Sequence, residues 1–220
     1  MAETAPLLEA NDLRVTLRNG TEIVRGVSFT AAAGKVLGIV GESGSGKSIT
    51  MRAVMGLSPP GSVISGSIRL YGEELVRAPE RRMRALRGSK IGLIFQDPMT
   101  ALNPVITVGK LIAEAVRLHN PGTSASRARQ RAVELLELVS VPQPEVRANQ
   151  YVHEFSGGMR QRAMIAMAVA NNPDVLIADE PTTALDVTVQ AQILDVLKGL
   201  QDRFSMGLVL ITHDLGVVAG

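Results

Sequence analysis

GESGSGKS, residues 41–48, lies between the apolar run Val36–Val40 and a helix-compatible run at residues 49–55. It meets the pattern G-x-x-x-x-G-K-[ST] at every fixed position. Glycines at 41, 44 and 46 let the backbone wrap closely, so that successive amide N–H groups face phosphate oxygens while the following helix adds its positive end. In that arrangement Gly41, Glu42, Ser43, Gly44, Ser45, Gly46 and Ile49 surround a nucleotide's phosphates. Lys47 reaches the β and γ phosphates, and the Ser48 hydroxyl binds Mg2+. A glycine turn arising by chance would need neither the apolar strand before it nor the helix after it. The stretch therefore predicts a strand–loop–helix unit of an α/β fold.

Three more continuous apolar runs share the character of residues 36–40: 91–95, 175–178 and 208–211. Such runs are expected of parallel strands covered on both faces. Each ends on residues with chemistry: the glycine loop after Val40, Gln96-Asp97 after Phe95, Asp179-Glu180 after Ala178, and Thr212-His213 after Ile211. Ligands of open α/β sheets sit outside the carboxyl ends of the strands, so four separate motifs are expected to meet in one place.

Before residue 34 the pattern differs. Residues 13–17 alternate, Asn19-Gly20 marks a turn, and Ile23-Val24 and residues 27–29 continue as short antiparallel strands, as do residues 67–71. Residues 108–170 are rich in helical patterns, broken at 120–122 and 141–144. The expected fold class is α/β: a P-loop core with a mainly parallel sheet, an N-terminal antiparallel β subdomain and an inserted helical subdomain. The division is a single domain over 1–220, with 1–95 and 171–220 forming the β subdomain and core, and 96–170 the helical insertion.

Asp179 ends a buried run and is placed to hold Mg2+ directly or through water. Glu180 follows, and Pro181 stops the strand, which frees the two carboxylates from opposite faces. Glu180 is the candidate general base that polarises an attacking water. An Asp-Glu pair alone also suits a solvated loop; the phosphate loop in the same chain favours the site. Gln96 is placed to touch the metal or the water, and His213 to donate to the γ-phosphate. His119 and His153 lack such a setting and read as structural.

Bulk properties exclude several classes. Lys and Arg number 23 against 21 Asp and Glu, a net charge of +2, so nothing global calls for nucleic acid. There is no cysteine, hence no disulfide or thiolate metal site, which fits a reducing compartment. The start MAETAPLLEA lacks the basic region and the apolar length of a signal peptide. No stretch approaches the roughly 18 apolar residues of a membrane span. The basic cluster at 77–90, with Met83 and Leu86 about one turn apart, reads as a solvated helix face with an apolar stripe.

A second glycine-serine stretch, FSGGMRQR at 155–162, is unexpected in a chain that already has a phosphate loop. Ser156, Gly157 and Gly158 before a helix at 159–170 suit an anion site at a helix N-terminus. They suit a plain serine N-cap equally well, and the residues alone leave both open.

Taken in order, GESGSGKS, the QDP at Gln96, SGGMRQR at Ser156, LIADEPTTALD ending at Asp186, and the THD around His213 resemble the nucleotide-binding subunits of ATP-binding-cassette (ABC) transporters. The ordered set spans nearly the whole chain. The resemblance implies that Ser156, Gly157 and Gly158 bind the γ-phosphate of ATP held by an opposing subunit, with Asp186 at that junction. The second loop then serves another subunit's nucleotide, and two subunits close head to tail over two ATP molecules.

Finer wording, QDPMTALNPVITVG (96–109), HEFSGGMRQRAMIAMA (153–168) and DEPTTALDVTVQAQIL (179–194), is similar to the ATPase subunits of dipeptide and oligopeptide importers, whose relatives also move nickel and glutathione. That implies two transmembrane permease subunits, a second ABC ATPase subunit in a homo- or heterodimer, an extracytoplasmic solute-binding protein acting indirectly, and a peripheral place on the cytoplasmic face of the inner membrane. Two features depart from the family's pattern. Leu17 stands where an aromatic ring usually stacks on adenine, and the chain stops at Gly220, which suggests a C-terminal truncation with a fraying last helix. The rivals are a soluble ABC ATPase of nucleic-acid repair or translation, and a nucleotide switch without turnover. The short, proline-broken middle block, the missing zinc cysteines, and the presence of both Glu180 and His213 count against them.

Overall fold

The computed structural model describes residues 6–213. Strands β1 (Pro6–Thr16) and β2 (Glu22–Ala32) form a long antiparallel hairpin, followed by β3 (Val36–Val40) and helix α1 (Lys47–Val54). Next come β4 (Val63–Leu70), β5 (Glu73–Glu74), α2 (Glu80–Leu86) and β6 (Ile91–Ile94). The helical block contains α3 (Pro98–Ala101), α4 (Val108–His119), α5 (Ala125–Leu138), α6 (Pro144–Arg147), a 3-10 turn at Val152–Glu154, and α7 (Gly157–Ala168). The chain returns through β7 (Val175–Asp179), α8 (Val187–Phe204) and β8 (Gly207–Thr212).

Two four-stranded sheets result, antiparallel β2-β1-β4-β5 and parallel β3-β8-β7-β6. The period of two along β7 and β8 divides their side chains between two cores. Val175, Ile177, Val209 and Ile211 pack with β1, β4 and α1, while Leu176, Ala178, Leu208 and Leu210 pack with α4, α5, α7 and α8. The parallel sheet is thus a middle layer between the antiparallel sheet and the helices.

The expectation that all four apolar runs are covered on both faces holds for β7 and β8, which are buried throughout. It fails for β3, an edge of its sheet among the described strands, where Val36 is 52% and Val40 37% exposed. Phe95 also falls outside β6 and is exposed. The strand expected at 67–71 runs from Val63 to Leu70 and stops where Tyr71 turns with φ 51°.

In β1 the inward positions are Leu8 and Ala10, then Leu13 and Val15, a change of phase that an unbroken strand cannot make. The register shifts with both neighbours between residues 10 and 14, with Asp12 at φ 45°, which is the extra residue of a bulge. Gly66 faces that bulge. A Cβ there would lie 2.3 Å from the Asp12 carbonyl oxygen, so β4 passes only because it carries glycine.

α2 buries Met83 and Leu86, the apolar stripe expected of the basic cluster. Helix α7 begins at Gly157, two residues before the expected start, so both glycines lie in its first turn. The long helix α8 was not singled out by periodicity. The last helix expected after His213 lies outside the described residues.

Candidate functional site

The loops following β3, β6, β7 and β8 lie at the same end of the parallel sheet, because neighbouring strands run in one direction in aligned register. The phosphate loop leaves β3 and enters α1 through Gly44 (φ 79°) and Gly46 (φ 93°). Gly46 is pressed by β2: a Cβ on it would lie 3.0 Å from the Ile23 carbonyl oxygen. At the centre sits Lys47, 9% exposed, its Nζ donating to the carbonyls of Gly41 and Glu42 at 2.7 Å each. An ammonium has three hydrogens, so one remains for an outside oxygen. Glu42, Ser43, Gly44 and Ser45 are exposed, while Ile49 is half-buried at the start of α1.

Ser48 and Asp179 meet here. Ser48 Oγ donates to Asp179 Oδ1 at 2.9 Å. Burial pushes the Asp179 carboxyl above its ordinary pKa against the lowering effect of the Ser48 bond, and neighbouring Glu180 raises it further. Arg52 and Lys47 pull it back down. A carboxylate strained by burial and backed by cations is suited to a divalent cation, whose charge relieves the desolvation.

Glu180 follows with φ 47°, its N–H donating to the Ile211 carbonyl of β8 at 3.1 Å. That turn brings its side chain beside the other loops. Its Oε2 accepts from Gln96 Nε2 and from Thr183 Oγ1, both at 2.9 Å, and lies 3.5 Å from His213 Nδ1. Gln96 and His213, single weak signals in the sequence, are thereby joined to one carboxylate. Thr183 was missed. Its signal was only a position three residues after Glu180, and that spacing means nothing until the backbone turn is known.

The oxygen atoms present suit Mg2+, which takes hard ligands and completes its shell with water and substrate phosphate. Ser48 and Asp179 offer a hydroxyl and a carboxylate. Gln96 spends its N–H on Glu180, leaving the amide oxygen as its ligand atom. Among the described residues no group of three or more His, Cys, Asp or Glu forms a metal cluster.

Ser156 is the N-cap of α7, accepting weakly from Met159 N at 3.4 Å. The cap reading is therefore correct, and it leaves the anion reading possible, since the first-turn amides of Gly157 and Gly158 have no acceptor within the helix. These glycines lie against the segment after β7: a Cβ on Gly158 would approach Val189 Cγ1 to 2.8 Å, and one on Gly157 would meet Leu185 at 3.5 Å. Asp186 caps α8 through Val189 N at 2.9 Å. His119 and His153 stand away from the site, His153 stacked on Tyr151. Leu17 is half-buried in the β1–β2 turn, and the aromatic residues, Phe29, Tyr71, Phe95, Tyr151, Phe155 and Phe204, all lie outside that turn.

Comparison with known proteins gives a consistent family. A family described as "ABC transporter" matches residues 24–183. The chain is 55% identical over 218 residues to the oligopeptide transport ATP-binding protein OppD of Mycobacterium tuberculosis, covering 98% of this chain and 36% of that protein. It is 54% identical to OppD of Bacillus subtilis, covering 100% and 62%, and 52% identical to OppD of Salmonella typhimurium, covering 97% and 64%. It thus spans between about a third and two thirds of the length of these relatives. Among solved structures, a dimeric bacterial ABC transporter cassette superposes with a TM-score of 0.85 at 28% identity, covering 96% of this chain and 90% of that one. A dimeric post-hydrolysis cassette bound to ADP and Pi gives 0.84 at 28% identity, covering 96% and 89%.

Proposed function

The chain belongs to the ABC transporter family of ATP-binding cassettes, and from that premise we propose that it binds and hydrolyses ATP to drive a peptide importer. The observation that carries hydrolysis is the Glu180 carboxylate, held by Gln96 and Thr183 beside the Ser48–Asp179 pair. In this reading Lys47 and the 41–46 amides bind the β and γ phosphates, and Ser48, Asp179 and Gln96 hold Mg2+. When bound, that ion would neutralise phosphate charge. Glu180 orients a water and takes its proton as the water oxygen bonds to the γ-phosphorus. The bond from that phosphorus to the β–γ bridging oxygen breaks, and ADP leaves with the bond's electron pair. His213 donates to the transferred phosphoryl group.

Ser156, Gly157, Gly158 and Asp186 face a second copy or a similar subunit. The exposure of Ser156 and Gly157, and the dimeric state of the superposed cassettes, support a site completed in trans. The division into 1–95 with 171–220, and 96–170, fits this: one part carries the phosphate loop, the other the signature helix. The names of the relatives support oligopeptides as cargo; the motif resemblance to peptide importers supports two permease subunits, a second ABC ATPase and an external solute-binding protein as partners. The same resemblance supports a peripheral place at the cytoplasmic face of the inner membrane. No described helix is long and apolar enough to cross a membrane itself. No role with nucleic acid is assigned.

Phosphate release with Mg-ATP, compared between the wild type and Glu180→Gln, tests the chemistry. A loss of about 10^2-fold or more with nucleotide binding intact is expected, and equal rates would remove Glu180 from the mechanism. A pull-down of tagged Glu180→Gln with Mg-ATP from solubilised membranes tests the setting. Two polytopic proteins and a second ATPase are expected, whereas only soluble or nucleic-acid-bound partners would overturn the importer reading.

A further inference from the structure

Helix α7 carries one polar side chain into the interior just beyond its glycine-bearing first turn. Gln161 is 3% exposed, and its Nε2 is enclosed without an acceptor. A primary amide brings two donor hydrogens, and buried polar groups are ordinarily paired, so the one polar side chain among the buried residues of α7 points to a partner outside the direct contacts.

The side chain borders a cavity of about 380 Å3. Its other walls include Gln96 from the loop after β6, Met99 from α3, Arg160 from α7, and Thr183, Ala184 and Leu185 from the loop after β7. Gln96 and Thr183 are the two residues that donate to Glu180 Oε2. The cavity therefore borders both residues that hold the carboxylate assigned as the base, with room and polar groups for ordered water. The loop after β7 also holds two non-glycine residues in the left-handed region, Glu180 at φ 47° and Ala184 at φ 64°. Such a conformation persists only where surrounding contacts enforce it. From α8, Gln190 Nε2 supplies one set, donating to the carbonyls of Thr182 and Leu185. From α7, Arg160 and Gln161 both line the cavity; the Arg160 guanidinium donates to the carbonyls of Val152 and His153, whereas Gln161 Nε2 has no acceptor.

We propose that Gln161 is a positioning residue whose amide, directly or through water in this cavity, ties α7 to the loops bearing Gln96 and Thr183 and so sets the Glu180 carboxylate. The proposal rests on the reading of Glu180 as the base. Ser156, Gly157 and Gly158 lie about one turn before Gln161 on the same helix. An anion seated at the α7 N-terminus and the orientation of the base are thereby mechanically joined.

Gln161→Met keeps nearly the same length and volume while removing both donors, and Gln161→Asn keeps the amide one methylene short. For Gln161→Met, kcat for Mg-ATP hydrolysis is expected to fall about tenfold or more, with KM for ATP within about twofold. Gln161→Asn should recover part of the loss, and Tm should not fall, because no buried donor is left stranded. In the nucleotide-free protein, the amides of Gln96, Asp97, Met99 and residues 182–185 should exchange hydrogen about tenfold faster in Gln161→Met. Unchanged exchange in both loops overturns the tie, as does a rate loss that tracks a lowered Tm and that Gln161→Asn does not relieve. The exchange measurement needs no turnover. A Glu180→Gln variant as active as wild type would therefore defeat the assignment of the base while the tie is still read independently.

Discussion

Ser48 Oγ and Asp179 Oδ1 are 2.9 Å apart and hydrogen-bonded across 131 positions of sequence. One residue opens α1 and the other ends β7, so the contact exists only because the loops after β3 and β7 share one end of the sheet. It brings together, without nucleotide, the two oxygen groups proposed above to hold Mg2+.

Asp179 is a cost to the resting fold when ionised. Its carboxyl pKa is raised, chiefly by burial, so the folded chain binds this proton more tightly than the unfolded one does. The penalty is full above the raised pKa and fades as pH falls into the ordinary carboxylate range. Asp179→Asn, free of nucleotide and metal, should raise Tm at neutral pH, with a gain that shrinks on acidification. Thermal melts across pH check this, and a gain independent of pH would contradict it.

Thr183→Val removes one of the two side-chain donors on Glu180 Oε2 while keeping the branched shape. The expected result is a fall in kcat of about tenfold, with KM for ATP nearly unchanged. Steady-state phosphate release resolves the two constants. Loss confined to KM would place Thr183 in binding instead.

Two glycines should separate binding from stability. Gly46→Ala forces a side chain onto φ 93° and within 3.0 Å of a backbone oxygen on β2, which displaces the phosphate loop and should abolish ATP binding in equilibrium titration. Gly92→Ala instead meets the Ala168 carbonyl oxygen at 2.7 Å, where β6 packs on the end of α7. It should cost about 1–3 kcal/mol by overpacking, a drop of roughly 2–10 °C in Tm, while nucleotide affinity stays within a few-fold.

Leu17→Phe tests the base side of the site. With a side chain that cannot stack in the β1–β2 turn, ATP and GTP should bind with similar affinity. An aromatic there should tighten ATP by about 1 kcal/mol or more, roughly fivefold. Titration of the two nucleotides against both proteins decides it, and strong ATP preference in the unaltered chain would assign the base to other residues.

Much of the site was legible before any coordinates because its chemistry is local. A phosphate loop needs only successive amides, glycines that admit positive φ, and a helix start, and all of that fits within residues 41–48. The same holds for Asp179-Glu180 at the end of an apolar run, whereas Ser156 showed only that a helix starts there and left cap and anion site both open. The general position of the helical block followed from its periodicity and its proline breaks.

Other features depend on what is distant in the chain. Strand order put β3 at an edge among the described strands and β8 beside it, and no local window encodes which runs pair. The bulge at Asp12 reversed the inward phase of β1, an effect visible only against β2 and β4. Thr183 gained its role from the turn at Glu180, and Gln161 its isolation from the loops packed around it. The sequence by itself determined the phosphate loop and the carboxylate pair, since backbone geometry over a few residues suffices for each. Only the tertiary structure decided that Ser48 meets Asp179, and that Gln96, Thr183 and His213 converge on Glu180, because those meetings depend on long-range strand register and on the burial it creates.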